Sequence, residues 1–273
     1  MVIFRCTIIK VLFCSRQTVS GKPERKWKPM RNLRLELCYD GTRYRGWQRL
    51  PGVENTIQGK LEKTLSRILG EPIEVIGSGR TDAGTHALGQ VANFHCTSGM
   101  PSEEILGDLR KFLPEDIGVY SCKEVSPRFH ARLNALEKTY CYRLWNSEEP
   151  CVFQRRYVYT DSRPLNLEAM EQAASQLVGT HDFSAFCGNK NLKKSTVRTI
   201  YRIEILPKGP ELQFIFTGNG FLYHMVRILV GTLLEVGRGE REQETLSALF
   251  GKKRELAGQT VPACGLCLME VKY

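Results

Sequence analysis

The sequence predicts an α+β protein made of two halves, each running strand, helix, strand, strand, helix, strand. Three observations predict it: short runs of alternating apolar and polar residues, amphipathic helical spacing between them, and recurrence of the same order in the second half. At 273 residues the chain is long enough for one large or two medium domains, each with its own core.

The elements follow in order. Residues 1–29 show no sustained period and pass through Gly21-Lys22-Pro23-Glu24-Arg25-Lys26, so they are expected to be a flexible basic extension, or sequence upstream of a start at Met30. Leu33, Leu35 and Leu37 alternate with Arg34 and Glu36 as a strand does, up to the turn Asp40-Gly41. Ile57, Leu61, Leu65, Ile68 and Leu69 fall on one helical face, capped by Asn55 or Thr56 and stopped by Gly70. Ile73–Ile76 and Gln90–Phe94 are strands on either side of a glycine-rich loop, and Ser102 caps a helix through Ile105, Leu109, Phe112 and Leu113 that Pro114 ends. Ile117–Val125 closes the first unit.

The second unit reads alike. Lys138–Trp145 is a strand, with Arg155–Tyr159 as an added one, and Leu167, Met170, Ala174 and Leu177 form a helix closed by Gly179. Thr199–Leu206 and Glu211–Thr217 make a hairpin around Pro207-Lys208-Gly209-Pro210. Phe221–Val236 is an apolar helix entered from Gly218-Asn219-Gly220, and Gly265–Val271 is the last strand. The repeated order is that of the split ferredoxin-like unit. It predicts domains at 30–130 and 131–273, with antiparallel sheets and a cleft where the halves meet.

Composition narrows the classes. No apolar run approaches the roughly 20 residues that span a bilayer, and Arg5 and Lys10 interrupt the apolar start, so neither a signal peptide nor a membrane anchor is expected. The net charge of +10 invites a nucleic-acid partner, but the first thirty positions hold seven basic residues against Glu24 alone. The remainder carries 32 basic and 28 acidic residues, so local patches must carry that reading. Ten scattered cysteines in strand-like contexts suit buried thiols in a reducing cytosol. Cys264-x-x-Cys267 lacks a second pair or a histidine cluster, so no metal site is expected. Phosphate-loop, HExxH and GxSxG patterns are absent, and Cys38 stands where an aspartyl phosphatase would need the partner of Asp40.

Three stretches hold chemistry. Gly77-Ser78-Gly79-Arg80-Thr81-Asp82-Ala83-Gly84-Thr85-His86 places an arginine and a carboxylate on a tight loop after a strand, which on composition alone also fits an ordinary Asx turn. Arg43-Tyr44-Arg45-Gly46-Trp47-Gln48-Arg49 interleaves cations with rings as single-stranded nucleic acid requires, or is a solvated loop with one anchoring tryptophan. Gly188-Asn189-Lys190-Asn191-Leu192-Lys193-Lys194-Ser195 is a basic polar loop of the kind that is usually only solvated.

Gly79–His86 resembles the catalytic segment of the TruA-type transfer-RNA pseudouridine synthases. Tyr39-Asp40-Gly41-Thr42-x-Tyr44-x-Gly46-Trp47-Gln48-Arg49 resembles the family's opening motif, and Phe129-His130-Ala131-Arg132 with Lys138-Thr139-Tyr140-x-Tyr142 its central one. Gly220-Phe221-x-x-His224-Met225-Val226-Arg227 and Ala263-x-Gly265-Leu266 resemble the late motifs, so the likeness runs from about Leu33 to Tyr273. Thr85, where the family more often has valine, and Cys141 are small departures; the extension lies outside the pattern.

The resemblance implies isomerisation of uridine to pseudouridine at positions 38 to 40 of the tRNA anticodon stem-loop, without metal or organic cofactor. It further implies a cytoplasmic homodimer with a basic RNA cleft between the halves. Asp82 is implied as nucleophile or base, Arg227 as its ion-pair partner and Tyr140 as the ring contacting a flipped-out uridine. Arg80 would fill the vacated space, and His86 would support the loop. Arg43, Arg45, Arg49, Arg132, Lys193 and Lys194 would contact the RNA. An RNA-binding protein that modifies nothing, or a synthase for another RNA, are the alternatives.

Overall fold

The computed structural model describes residues 29–189 and 194–273, so the basic extension and Lys190–Lys193 lie outside the described residues. Ten strands form one sheet: β1 (Arg31–Tyr39), β2 (Val75–Gly77), β3 (His86–Cys96), β4 (Ile117–Val125), β5 (Glu137–Trp145), β6 (Tyr159–Thr160), β7 (Gly179–Asp182), β8 (Val197–Lys208), β9 (Glu211–Gly218) and β10 (Leu266–Lys272). Four α-helices accompany it: α1 (Ile57–Leu69), α2 (Ser102–Phe112), α3 (Leu167–Ser175) and α4 (Met225–Gly237).

The sheet runs β4-β1-β3-β10-β5-β9-β8-β7, with β2 on β3 and β6 on β5. Within it β4-β1-β3-β2 and β10-β5-β9-β8 repeat one order, as the duplicated sequence pattern leads one to expect. Two separate antiparallel sheets do not form, however. β3 and β10 pair in parallel through Cys267 opposite His86 and Leu268 opposite Ala87, and β5 and β6 are also parallel, so the sheet is continuous and mixed. β2 occupies only the Ala92–Phe94 stretch of β3, which leaves the start of that edge for β10.

Period-2 patterning buries Leu33, Leu35 and Leu37 of β1, all fully enclosed. α1 begins as expected at Thr56, whose hydroxyl accepts from the Gly59 N–H, and ends at Gly70 with φ 69°. α1 packs on α2 and β2, and α3 on α4 and β8. α4 is apolar on nearly every face because it is enclosed by β5 and by the return of residues 257–261.

Several elements differ from expectation. Ser102 is the first residue of α2 rather than its cap: Pro101 takes the cap position, and the serine hydroxyl turns to Glu103. The apolar run 221–236 becomes helical only at Met225, because His224 adopts φ 61°, which a right-handed helix cannot contain. The added strand narrows to Tyr159–Thr160 since residues 152–157 turn instead. β7, four residues at the sheet's edge, was missed altogether.

The loop joining β2 to β3 is set against the segment after β1. A Cβ on Gly41 would lie 2.0 Å from the Thr85 carbonyl oxygen, and one on Gly46 (φ 94°) 2.7 Å from the Thr81 carbonyl oxygen. Gly41→Ala therefore has no backbone room and is expected to lower the melting temperature by several degrees. Gly107→Ala in α2, with nothing within 4 Å, should hold or raise it. Thermal unfolding of both variants checks the contrast, and an unperturbed Gly41→Ala would refute the packing.

Candidate active site

The loop from Ser78 to Thr85 enters and leaves through anchored backbone. Ser78 N–H donates to Val91 O at 2.7 Å, and Trp47 N–H to Thr81 O at 3.0 Å. Gln90, fully buried, accepts from the Ser78 hydroxyl at 2.8 Å and donates to Gly79 O at 3.0 Å. The Tyr39 and Thr81 hydroxyls meet at 2.8 Å, and burial pushes the Tyr39 phenol up. The loop is thus short of side chains but not of partners.

These anchors hold Asp82 in a cleft of about 950 Å³ lined from both halves of the chain. Arg227, in the first turn of α4, donates from Nη1 to Asp82 Oδ2 at 3.0 Å and from Nε to Val261 O at 2.8 Å. The two side chains are 17% and 14% exposed, so the pair is half withdrawn from water and each partner needs the other. His224 Nε2 lies 3.5 Å from the same carboxylate oxygen.

Tyr140, on β5, is buried with its ring edge-on to Phe221 at 5.2 Å. Its hydroxyl comes up to Gly79, where a Cβ would sit 3.6 Å away. Burial, then the charges of Tyr39 and Asp82, raise its phenol well above the usual range, so it stays protonated. Lys138, two residues earlier on the same strand face, donates from Nζ to Ser78 O. Burial, reinforced by Arg132, brings its ammonium down to about 8.

His86 sits behind the loop. Its Nδ1 accepts the Gly41 N–H at 3.1 Å, so the proton belongs on Nε2, which donates to Arg156 O at 3.1 Å. Burial lowers its pKa, in keeping with a neutral ring tying residues 151–158 to the loop.

Of the arginines and lysines singled out in the sequence, Arg45, Arg80, Arg132 and Lys194 line the cleft. Arg43 turns away to Asp116, and Arg49 to Glu62 at 3.2 Å, beside a shallower surface depression. Lys193 lies outside the described residues. The rings expected to stack on nucleic acid, Tyr44 and Trp47, are buried. Sequence reasoning passed over Lys138, Arg198, Phe221, Tyr223 and His224, which also line the cleft. Lys138, Phe221 and His224 stood inside the quoted motifs; that was the available signal. Asp82 is the only carboxylate lining the cleft among the described residues.

A cleft lined by cations around one clamped carboxylate has the charge pattern of a site that receives a polyanion. The chain belongs to the tRNA pseudouridine synthase family, whose model matches residues 38–134 and 173–273. It is therefore an isomerase. It is 43% identical over 245 residues to tRNA pseudouridine synthase A 2 of Bacillus cereus, covering 89% of this chain and all of the relative. A Bacillus species (strain KSM-64) has a tRNA pseudouridine synthase A that is 46% identical over the same shares. The Exiguobacterium enzyme of that name is 45% identical over 89% of this chain and 98% of its own.

Two predictions follow from the loop's surroundings. The Thr85 hydroxyl is buried without a hydrogen-bond partner among the described residues. Thr85→Val replaces it with a methyl of similar size and should raise stability by about 1 kcal/mol, some 2–4 °C in melting temperature; a fall would show that the hydroxyl is engaged. Lys138 binds its proton less tightly folded than unfolded, so between pH 8 and about 10.5 the unfolded chain holds more protons and this residue's contribution to stability rises with pH. Below pH 8 both states are protonated and the burial penalty is constant. Unfolding of wild type and Lys138→Met across pH 7 to 10.5 should show the gap moving in favour of wild type; a pH-independent gap would refute the shift.

Proposed function

We propose that this chain converts uridine to pseudouridine in the anticodon stem-loop of tRNA, at positions 38 to 40. The observation that carries the proposal is the Arg227–Asp82 pair on the floor of a basic cleft. A protein that only bound RNA would gain nothing from a half-buried carboxylate facing a polyanion, which it repels. The names of the relatives supply the RNA class.

The target uridine leaves its stack at a cost of a few kcal/mol. Arg80, exposed at the loop's crest, takes the vacated space, and Tyr140 meets the flipped base. Asp82 acts at the sugar, as nucleophile or as base. In the nucleophilic course a carboxylate oxygen bonds C1′ as the N1–C1′ bond breaks, and its electron pair stays on the uracil. The base turns within the cleft, C5 attacks C1′ and expels the carboxylate, the C5 proton leaves and N1 takes one up. No oxidant, reductant or group carrier is needed for that balance. Arg227 holds the carboxylate through its hydrogen bond to Oδ2, and the Tyr140 hydroxyl assists the C5 proton.

Arg45, Arg132 and Lys194 hold phosphates; Arg43 and Arg49 already have carboxylate partners and are left out of the contact set. We infer further that residues 30–130 and 131–273 are two ferredoxin-like units joined through β3 and β10, acting as a cytoplasmic homodimer.

Tritium release from C5-labelled uridine in unmodified tRNA tests the proposal. Wild type should release label, and Asp82→Asn should be slower by about 10³-fold or more with RNA affinity within a few-fold. Tight binding without release by wild type would favour the binding-protein reading or another RNA.

A further inference from the structure

His224 is the one non-glycine residue with positive φ among the described residues, at φ 61° and ψ 4°. A side chain tolerates that conformation only when its surroundings impose it, and such residues gather at functional sites. Here the surroundings are explicit. The Tyr223 ring stacks on the imidazole at 3.7 Å and 27°. Gly188 closes the other approach: a Cβ there would lie 2.8 Å from Nδ1, and its N–H donates to Tyr223 O at 2.8 Å. The ring makes no cap hydrogen bond to α4. What the turn accomplishes is to aim Nε2 at Asp82.

Both ion-pair partners of Asp82 address the same atom, Oδ2: Arg227 Nη1 at 3.0 Å and His224 Nε2 at 3.5 Å. One donor leaves a carboxylate free to pivot about that contact, because its terminal torsion is soft. A second donor from another direction fixes its plane. The longer contact is an approach of ring to carboxylate rather than a formed hydrogen bond, and catalytic hydrogen bonds often tighten only when substrate closes a site.

We propose that His224 is a positioning residue that, with Arg227, clamps Oδ2 of Asp82 and so presents Oδ1 to the sugar of the flipped uridine. The inference rests on the proposed chemistry of Asp82. Burial lowers the His224 pKa against the pull of Asp82, and Arg227 and Arg254 lower it further. A neutral ring protonated on Nε2 adds a donor without adding a second cation beside Arg227. The left-handed turn is then the conformation that lets one residue both begin α4 and reach the carboxylate.

The test compares His224→Gly and His224→Gln with wild type and Asp82→Asn by tritium release from tRNA, with kcat and KM separated and melting temperatures recorded. Glycine takes φ 61° without strain, so His224→Gly should melt at or above the wild-type temperature. Its kcat should fall about tenfold to a hundredfold, as for a misplaced reacting group, with KM within about twofold. Glutamine carries its amide nitrogen at the reach of the imidazole Nε2, so His224→Gln should recover kcat to within about fivefold of wild type. Wild-type kcat in His224→Gly would overturn the proposal. So would a raised KM with unchanged kcat, which would make the ring an RNA contact, or a glutamine variant no faster than the glycine one. If Asp82→Asn itself keeps turnover, the chemistry of Asp82 falls and this inference with it; if only His224→Gly is unaffected, this inference alone falls.

Discussion

The parallel pairing of β3 with β10 is the contact on which the site depends. Only two residue pairs define it, yet one of them is His86, the first residue after the loop that carries Asp82. The partner strand follows α4, the helix that carries Arg227, and the residue that opens it, Leu266, lines the cleft. Side chains 145 positions apart in the chain are thereby held at 3.0 Å. A one-residue slip in β10 would turn Leu266 and Leu268 out of the core and reverse every other side chain of that strand. The register of the seam is therefore protected by burial, and the geometry of the ion pair inherits that protection.

The seam also sets the electrostatics. Arg45, Arg80, Arg132, Lys194 and Arg198 surround the one carboxylate that lines the cleft among the described residues, so the cleft attracts phosphates while Asp82 opposes them at close range. Coulomb attraction across a pair at this depth is of the order of 4 kcal/mol, offset in large part by desolvation of both groups. The net worth of the pair to folding is small; its removal is costly because one charge stays behind. This asymmetry suits a catalytic carboxylate. The pair adds little to the stability of the sheet, yet each member, held 3.0 Å from the other and partly buried, would leave an uncompensated charge behind if its partner were removed. Lys138 shows the unpaired case: with no ion pair to a carboxylate among the described residues, burial, reinforced by Arg132, brings its ammonium down to about 8.

Local periodicity made most elements legible from sequence. The spacing of Ile57, Leu61 and Leu65 and the Thr56 and Gly70 termini are physical signals carried within a few residues. What pattern could not show is what lies far apart in sequence. The β3–β10 pairing joins residues about 180 positions apart, and nothing in either strand's alternation says which edge it will meet. β7 is too short to show a period, and the φ of His224 lies hidden in an apolar run that looks helical from Phe221 onward. Charge was legible but its partners were not: Arg43 and Arg49 read as free cations until Asp116 and Glu62 are seen beside them. Resemblance brought Asp82, Arg227 and Tyr140 to notice as a set, because it ties motifs that local physics treats separately.

The same distinction recasts the stretch from Tyr39 to Arg49. Its rings and cations suggested a surface that reads nucleic acid, but Tyr44 and Trp47 are inside. A Cβ on Gly77 would fall 2.5 Å from the Trp47 ring, and one on Gly41 or Gly46 would fall 2.0 or 2.7 Å from the carbonyl oxygen of Thr85 or Thr81. α1 supports this wall from behind: Gln58 accepts the Arg49 N–H, and Glu62 accepts the Val75 N–H at the start of β2. A loop rich in glycine has little stiffness of its own and a large entropy to lose. It can hold a carboxylate to the tolerance that chemistry demands only if rigid neighbours supply the missing constraint. The aromatic and glycine residues of that stretch are then spaced as they are because each glycine admits a backbone that a side chain would exclude, and each ring fills the volume behind it. Arg45 alone of its arginines reaches the cleft, so the stretch serves the reaction mainly by being solid.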